Sequence, residues 1–117
     1  MANTFKLKTK SSVSNSALED LYTAPASTSA VLIGCLLSNT SSTSMTADVK
    51  IVTNSTSGED ADDVYLVKEV VVPPGISLEI IEGKIVIGPS DKIKVLSSVG
   101  SALDVALSIM EITEWLI

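Results

Sequence analysis

The residues able to do chemistry are few, and their spacing decides what each can do. Glu59-Asp60-Ala61-Asp62-Asp63 gathers carboxylates that suit Ca²⁺. It lacks the D-x-D-x-D-G order with a distant Glu that builds a calcium loop, so no metal site is assigned and cation binding at 59–63 stays open. Glu79 with Glu82, and Glu111 with Glu114, are carboxylate pairs of the kind a glycosidase uses. Such a site also wants aromatic platforms, and only Trp115 is close by. Gly83-Lys84 and Gly88 sit in turns and do not form the G-x-x-x-x-G-K-[ST] phosphate loop. Cys35 lies in the most apolar stretch with no basic neighbour in sequence to stabilise a thiolate, so it reads as core packing.

What is missing narrows the function further. The 117 residues include no His, no Arg and no Gln, and one Cys. Without His there is no Ser-His-Asp or Cys-His nucleophile and no imidazole ligand for a metal. One Cys makes neither an internal disulfide nor a cysteine-rich zinc cluster. The net charge of −6, with all eight positive charges on Lys, argues against a nucleic-acid partner, which needs a basic footprint. We expect no catalytic residue and no cofactor; function has to come from shape and surface.

The elements that position these residues read as strands. Val (13), Ile (11) and Thr (10) are β-branched and stiff at χ1, which favours a pleated surface. Phe5 and Leu7 alternate with Lys6 and Lys8, which predicts a half-buried strand over 4–9 with one apolar face. Residues 11–16 are a polar break, and 18–23 is a weak strand or a helical turn closed by Pro25. In Thr28 to Ser38, Val31, Ile33, Cys35 and Leu37 take one face and Leu32 and Leu36 the other. Met45, Ala47, Val49 and Ile51 alternate cleanly with polar residues, and the short polar loop 39–44 predicts a hairpin between this strand and the last.

Residues 53–63 form a long polar loop, and Val64 to Val72 is a strand ended by Pro73-Pro74-Gly75. Further alternating runs cover 76–80, 85–87, 92–95 and 103–109, with turn residues between them. About eight short strands at this spacing predict an all-β fold, an antiparallel β-sandwich of jelly-roll or immunoglobulin-like type, as one domain over 1–117. No apolar run approaches the length of about 20 residues that a membrane helix needs, and no signal segment opens the chain, so a membrane partner is not expected and synthesis in the cytoplasm is.

The two ends stand out. The segment 112–117 finishes on Trp115, Leu116 and Ile117, and 1–16 offers Phe5 and Leu7 before a polar linker. Either end completes a sheet in its own subunit or docks on a neighbour, with strand exchange between subunits as one form of docking. Phe5, Leu7, Trp115, Leu116 and Ile117 are therefore the candidate interface residues.

Taken together, Met1-Ala2-Asn3-Thr4-Phe5-Lys6, Tyr65-Leu66-Val67-Lys68, Val72-Pro73-Pro74-Gly75 with Ser77-Leu78-Glu79, Lys84-Ile85-Val86-Ile87, Asp91-Lys92-Ile93-Lys94-Val95 with Ser97-Ser98, and Asp104-Val105 with Glu111-Ile112-Thr113 resemble small virion structural proteins of tailed bacteriophages. The resemblance runs to Thr113 and is strongest after Tyr65; Trp115-Leu116-Ile117 lies beyond it. It implies a β-sandwich that assembles on the particle, as a capsid decoration (cement) protein or as a neck, tail or fibre-adaptor component. The implied partners are the major capsid protein or another virion protein, and further copies in a homo-oligomer. The acidic surface would complement basic patches on a shell. A carbohydrate-binding adhesion module on the same fold is the reading from a different class, with Tyr22, Tyr65 and Trp115 as its candidate platforms.

Overall fold

The computed structural model describes residues 2–54 and 62–113. Nine strands follow in order: β1 (Ala2–Lys10), β2 (Glu19–Thr23), β3 (Thr28–Asn39), β4 (Met45–Val52), β5 (Val64–Val72), β6 (Ser77–Glu79), β7 (Ile85–Ile87), β8 (Lys92–Ser97) and β9 (Leu103–Thr113). One sheet, here sheet A, runs β1-β9-β3-β6, with β7 also on β3; the other, sheet B, runs β2-β8-β4-β5. Every pairing is antiparallel. The expected β-sandwich is therefore what forms.

The pairing is nested. β4 pairs β5, β3 pairs β6 and β7, β2 pairs β8, and β1 pairs β9. That is a long hairpin rolled into two sheets, the jelly-roll arrangement. An immunoglobulin-like sandwich divides its strands differently between the sheets. The nesting also corrects the predicted β3–β4 hairpin. β3 lies in sheet A and β4 in sheet B, so the 39–44 connection crosses between sheets. Asn39 holds that crossing: its side-chain amide donates to the carbonyls of Thr43 (2.8 Å) and Val72 (2.9 Å), and its Oδ1 accepts from the Ser41 N–H at 2.9 Å.

The core is aliphatic and lies between the sheets. Leu32, Leu37, Leu103, Leu107 and Ile109 from sheet A meet Val49, Val72, Ile93 and Val95 from sheet B. The alternation over β4, β8 and β9 places the expected residues inward. β3 departs from its predicted faces. Its register against β9 shifts between Leu32 and Gly34, so Ala30 and Leu32 point inward before the bulge, and Cys35 and Leu37 after it. Val31 and Ile33 thereby face outward. A glycine inside a strand is the usual mark of such a bulge. Val13, inside the expected polar break, is fully buried and bonds its N–H to the Leu103 carbonyl at 3.0 Å.

Candidate adhesive face and its supporting polar groups

β1 is the edge strand of sheet A, paired with β9 over nine consecutive positions from Ala2↔Thr113 to Lys10↔Val105 with no register shift. The sequence predicts that its apolar face is half-buried. In the structure Phe5 is 74% and Leu7 64% exposed, on the outer side of the sheet. The reason is that the lysine face turns inward. Lys6 Nζ lies 2.8 Å from Glu111 Oε1 on β9, and Lys10 Nζ lies 3.4 Å from Glu19 Oε2 on β2. The lysines line the open margin between the sheets, where their long stems pack and their charges find partners. Inward-pointing charges on an edge strand also oppose strand addition by another chain.

Phe5 is one end of a row that crosses the sheet. The registers align Phe5 with Met110, Met110 with Val31, and Val31 with Val86. Cross-strand partners point to the same side of a sheet, so these four side chains share the outer face. Val86, at the far end on β7, is 69% exposed. Ile33 and Leu36 of β3 add to the same face, and Ala106, aligned with Leu36, continues it on β9. The two carboxylates on this side are engaged. Asp104 Oδ1 accepts from the Ser12 N–H at 3.1 Å, and Glu79 Oε2 accepts from the N–H groups of Cys35 (2.7 Å) and Ile81 (3.0 Å).

The outer face of sheet B is built differently. Asp20 bonds Lys94 (2.6 Å) and Lys92 (3.2 Å); the Lys94 bond first and the Lys92 bond second hold its carboxyl below the ordinary aspartate value. Asp48, buried, accepts from Lys68 Nζ at 3.1 Å and from the Glu69 N–H at 2.7 Å, and that bond raises the Lys68 ammonium. Lys50 and Lys68 lie 5.1 and 5.2 Å from the Tyr65 ring centre. A hollow of about 180 Å³ is lined by Asn15, Thr46, Asp48, Lys68, Glu69, Leu96, Ser97 and Ser98. Its polar atoms are largely tied to one another, as in the Thr46 N–H to Ser98 Oγ bond of 2.8 Å.

One polar cluster is buried. Tyr22 on β2 donates its hydroxyl to Glu111 Oε2 at 2.6 Å, while Lys6 holds the other oxygen. Burial alone would raise the Glu111 carboxyl; the bonds from Lys6 and Tyr22 and the charges of Lys6 and Lys8 more than offset it and leave it below the ordinary value. Burial first, then Glu111, pushes the Tyr22 hydroxyl upward. The cluster ties β1, β9 and β2 together and so joins the two sheets at their margin. Sequence reading missed it because Glu111 was weighed as half of a catalytic pair; the signal was its in-phase position with Leu103, Val105, Leu107 and Ile109.

The other sequence candidates fall as follows. Cys35 is fully buried, and burial, with the Glu79 charge second, pushes its thiol up to about 12. Glu79 supports backbone, and Glu82 is exposed in a turn. Tyr22 is buried and Tyr65 is flanked by two ammonium groups, which leaves neither as an open sugar platform. Asp63 bonds the Thr53 N–H at 2.8 Å. Among the described residues no group of three or more His, Cys, Asp or Glu is placed to hold a metal ion, and no helix is long and apolar enough to cross a membrane. Trp115, Leu116, Ile117 and Glu114, and residues 59–61 of the acidic loop, lie outside the described residues.

No protein-family model matches this chain, and no curated protein matches it in sequence. Solved structures do match in fold. A chain from the crystal structure of the T13 IBDV viral particle superposes with a TM-score of 0.59 at 15% identity, over 96% of this chain and 31% of that one. A chain from Bacillus endospore appendages, described as disulfide-linked pili, superposes with a TM-score of 0.50 at 16% identity, over 96% of this chain and 89% of that one. This chain thus spans under a third of the length of the viral-particle chain. At these identities the likeness is one of fold: a β-sandwich of the kind found in a viral particle and in a pilus.

Proposed function

We propose that this protein is a non-enzymatic structural subunit of a phage virion, of the capsid decoration (cement) type, acting by adhesion. The observation that carries the reading is the largely apolar outer face of sheet A, set on a sandwich whose buried carboxylates and thiol are committed to holding the fold. A protein of this kind needs a stiff frame, a soluble surface and a patch that neighbours cover. Many weak contacts repeated over a shell add up to firm attachment. The jelly-roll fold shared with a viral-particle chain supports the reading, as does the resemblance to tailed-phage virion proteins.

A pilus-like subunit is the competing structural role. Linkage by disulfides asks for accessible thiols, and the one Cys here is buried in the core with its thiol held protonated. The test of the virion reading is to purify the particles made by the phage that encodes this chain and to count its copies by quantitative mass spectrometry. Copies comparable in number to the shell protein, and heads that lose stability when the gene is deleted, are expected. A small ring-like copy number would move the protein to the neck or tail, and absence from particles would remove the virion assignment.

A further inference from the structure

We propose that the outer face of sheet A is the contact between two copies of this chain, packed sheet against sheet. Four observations converge on a second copy as the occupant. First, the face is continuous. The Phe5–Met110–Val31–Val86 row spans sheet A from one edge to the other, with Leu7 and Ile33 beside it. Second, the face is mostly apolar: its carboxylates, Asp104 and Glu79, keep their charge but are held in place by backbone N–H groups. Apolar character of this degree is the mark of homodimer contacts, whereas contacts with transient partners match the average protein surface.

Third, the area suffices. Strands β1, β9 and β3 have 9, 11 and 12 residues, and β6 and β7 add three each beside β3; at about 3.3 Å per residue and about 4.8 Å between strands they present about 600 Å². Two such faces bury about 1,200 Å² in total, at the lower bound of specific interfaces. Fourth, the alternative homotypic contact is closed. Pairing β1 with the β1 of a second copy about a two-fold axis sets Lys6, Lys8 and Lys10 against the same lysines, since partners across an antiparallel ladder share a side. The copy therefore meets the face and not the edge.

The inference rests on the adhesive reading of this face and not on the particle. The test is sedimentation equilibrium of the purified full chain from about 1 to 100 µM, a range that resolves a dimer of micromolar affinity. A mass twice the 12.2 kDa of the chain is expected at the upper concentrations. Phe5→Glu and Val86→Lys lie at opposite ends of the row on exposed positions, so both should fold, as circular dichroism would verify. Each should weaken association by about 100-fold or more, because a charge would be desolvated in the contact. Val71→Lys, exposed on β5 of sheet B, should leave it unchanged. Raising the salt should hold or strengthen the dimer by screening the net charge. A chain that stays monomeric throughout the range overturns the proposal. So does a dimer indifferent to both face variants, or one abolished only by truncating residues 115–117. Dimerisation by a chain absent from particles would leave this inference standing and remove the virion assignment; a particle-bound chain that is monomeric in solution would do the reverse.

Discussion

Replacing Glu111 by Gln keeps the side chain's shape and removes its charge. The amide oxygen can still accept from the Tyr22 hydroxyl, now as a neutral hydrogen bond; in the native protein that bond is charge-assisted at 2.6 Å. The difference between a charged and a neutral hydrogen bond is about 1 kcal/mol. The Lys6 ion pair adds about 0.5 kcal/mol, since the Lys6 side chain is 42% exposed and its charge is partly screened. The expected loss is thus about 1.5 kcal/mol at pH 7. With an unfolding entropy of about 2.1 cal/mol/K per residue over the 117 residues, each kcal/mol is about 4 °C, so Tm should fall by about 6 °C.

The pH dependence gives a second reading of the same group. The folded Glu111 carboxyl titrates below its unfolded value. Its contribution is therefore complete above about pH 4.3 and is lost as pH falls through the folded pKa. Thermal melts followed by circular dichroism at pH 7 and at pH 3 should show the Glu111→Gln deficit at the first and little of it at the second. The remaining acid sensitivity, from carboxylates such as Asp20, is common to both proteins. Equal melting at pH 7, or a deficit that persists undiminished at pH 3, would refute the reasoning that the charge of Glu111 joins the sheets.

Two further outcomes follow from the core. Leu107→Ala removes a fully buried side chain from the middle of β9 and should cost about 2–5 kcal/mol, read as a fall in the urea midpoint or as loss of soluble protein; a change under about 1 kcal/mol would mean the two sheets do not pack as described. Cys35, with its thiol pushed up to about 12 and no exposed surface, should resist a thiol reagent in native buffer and react fully in denaturant, so rapid native labelling would contradict its placement.

Much of the architecture was legible because alternation reports burial directly. The inward residues of β4, β8 and β9 follow the period of two, and the turns fall at Pro73-Pro74-Gly75 and Gly88-Pro89. Alternation says which side of a strand is apolar, but not which sheet the strand joins; hence the 39–44 crossing read as a hairpin. It also assumes an unbroken period, and the bulge at Gly34 reversed the sides of Val31 and Ile33. In β1 the apolar residues face out because lysines reach carboxylates at the margin, a preference set by tertiary partners far away in the chain. The apolar outer face of sheet A was legible only at Phe5 and Leu7. Its other members come from β3, β7 and β9, which only the register brings side by side.

The nested pairing carries a kinetic consequence. The β4–β5 ladder joins neighbours in sequence, whereas Ala2 must find Thr113. Loop-closure entropy therefore orders the search from the middle outward, and pairings of such long range fold slowly. β9 lies between β1 and β3, so sheet A cannot close during synthesis until Leu103–Thr113 has left the ribosome. Until that moment β1 has no ladder to join, and the nascent chain depends on chaperones or on speed to escape aggregation.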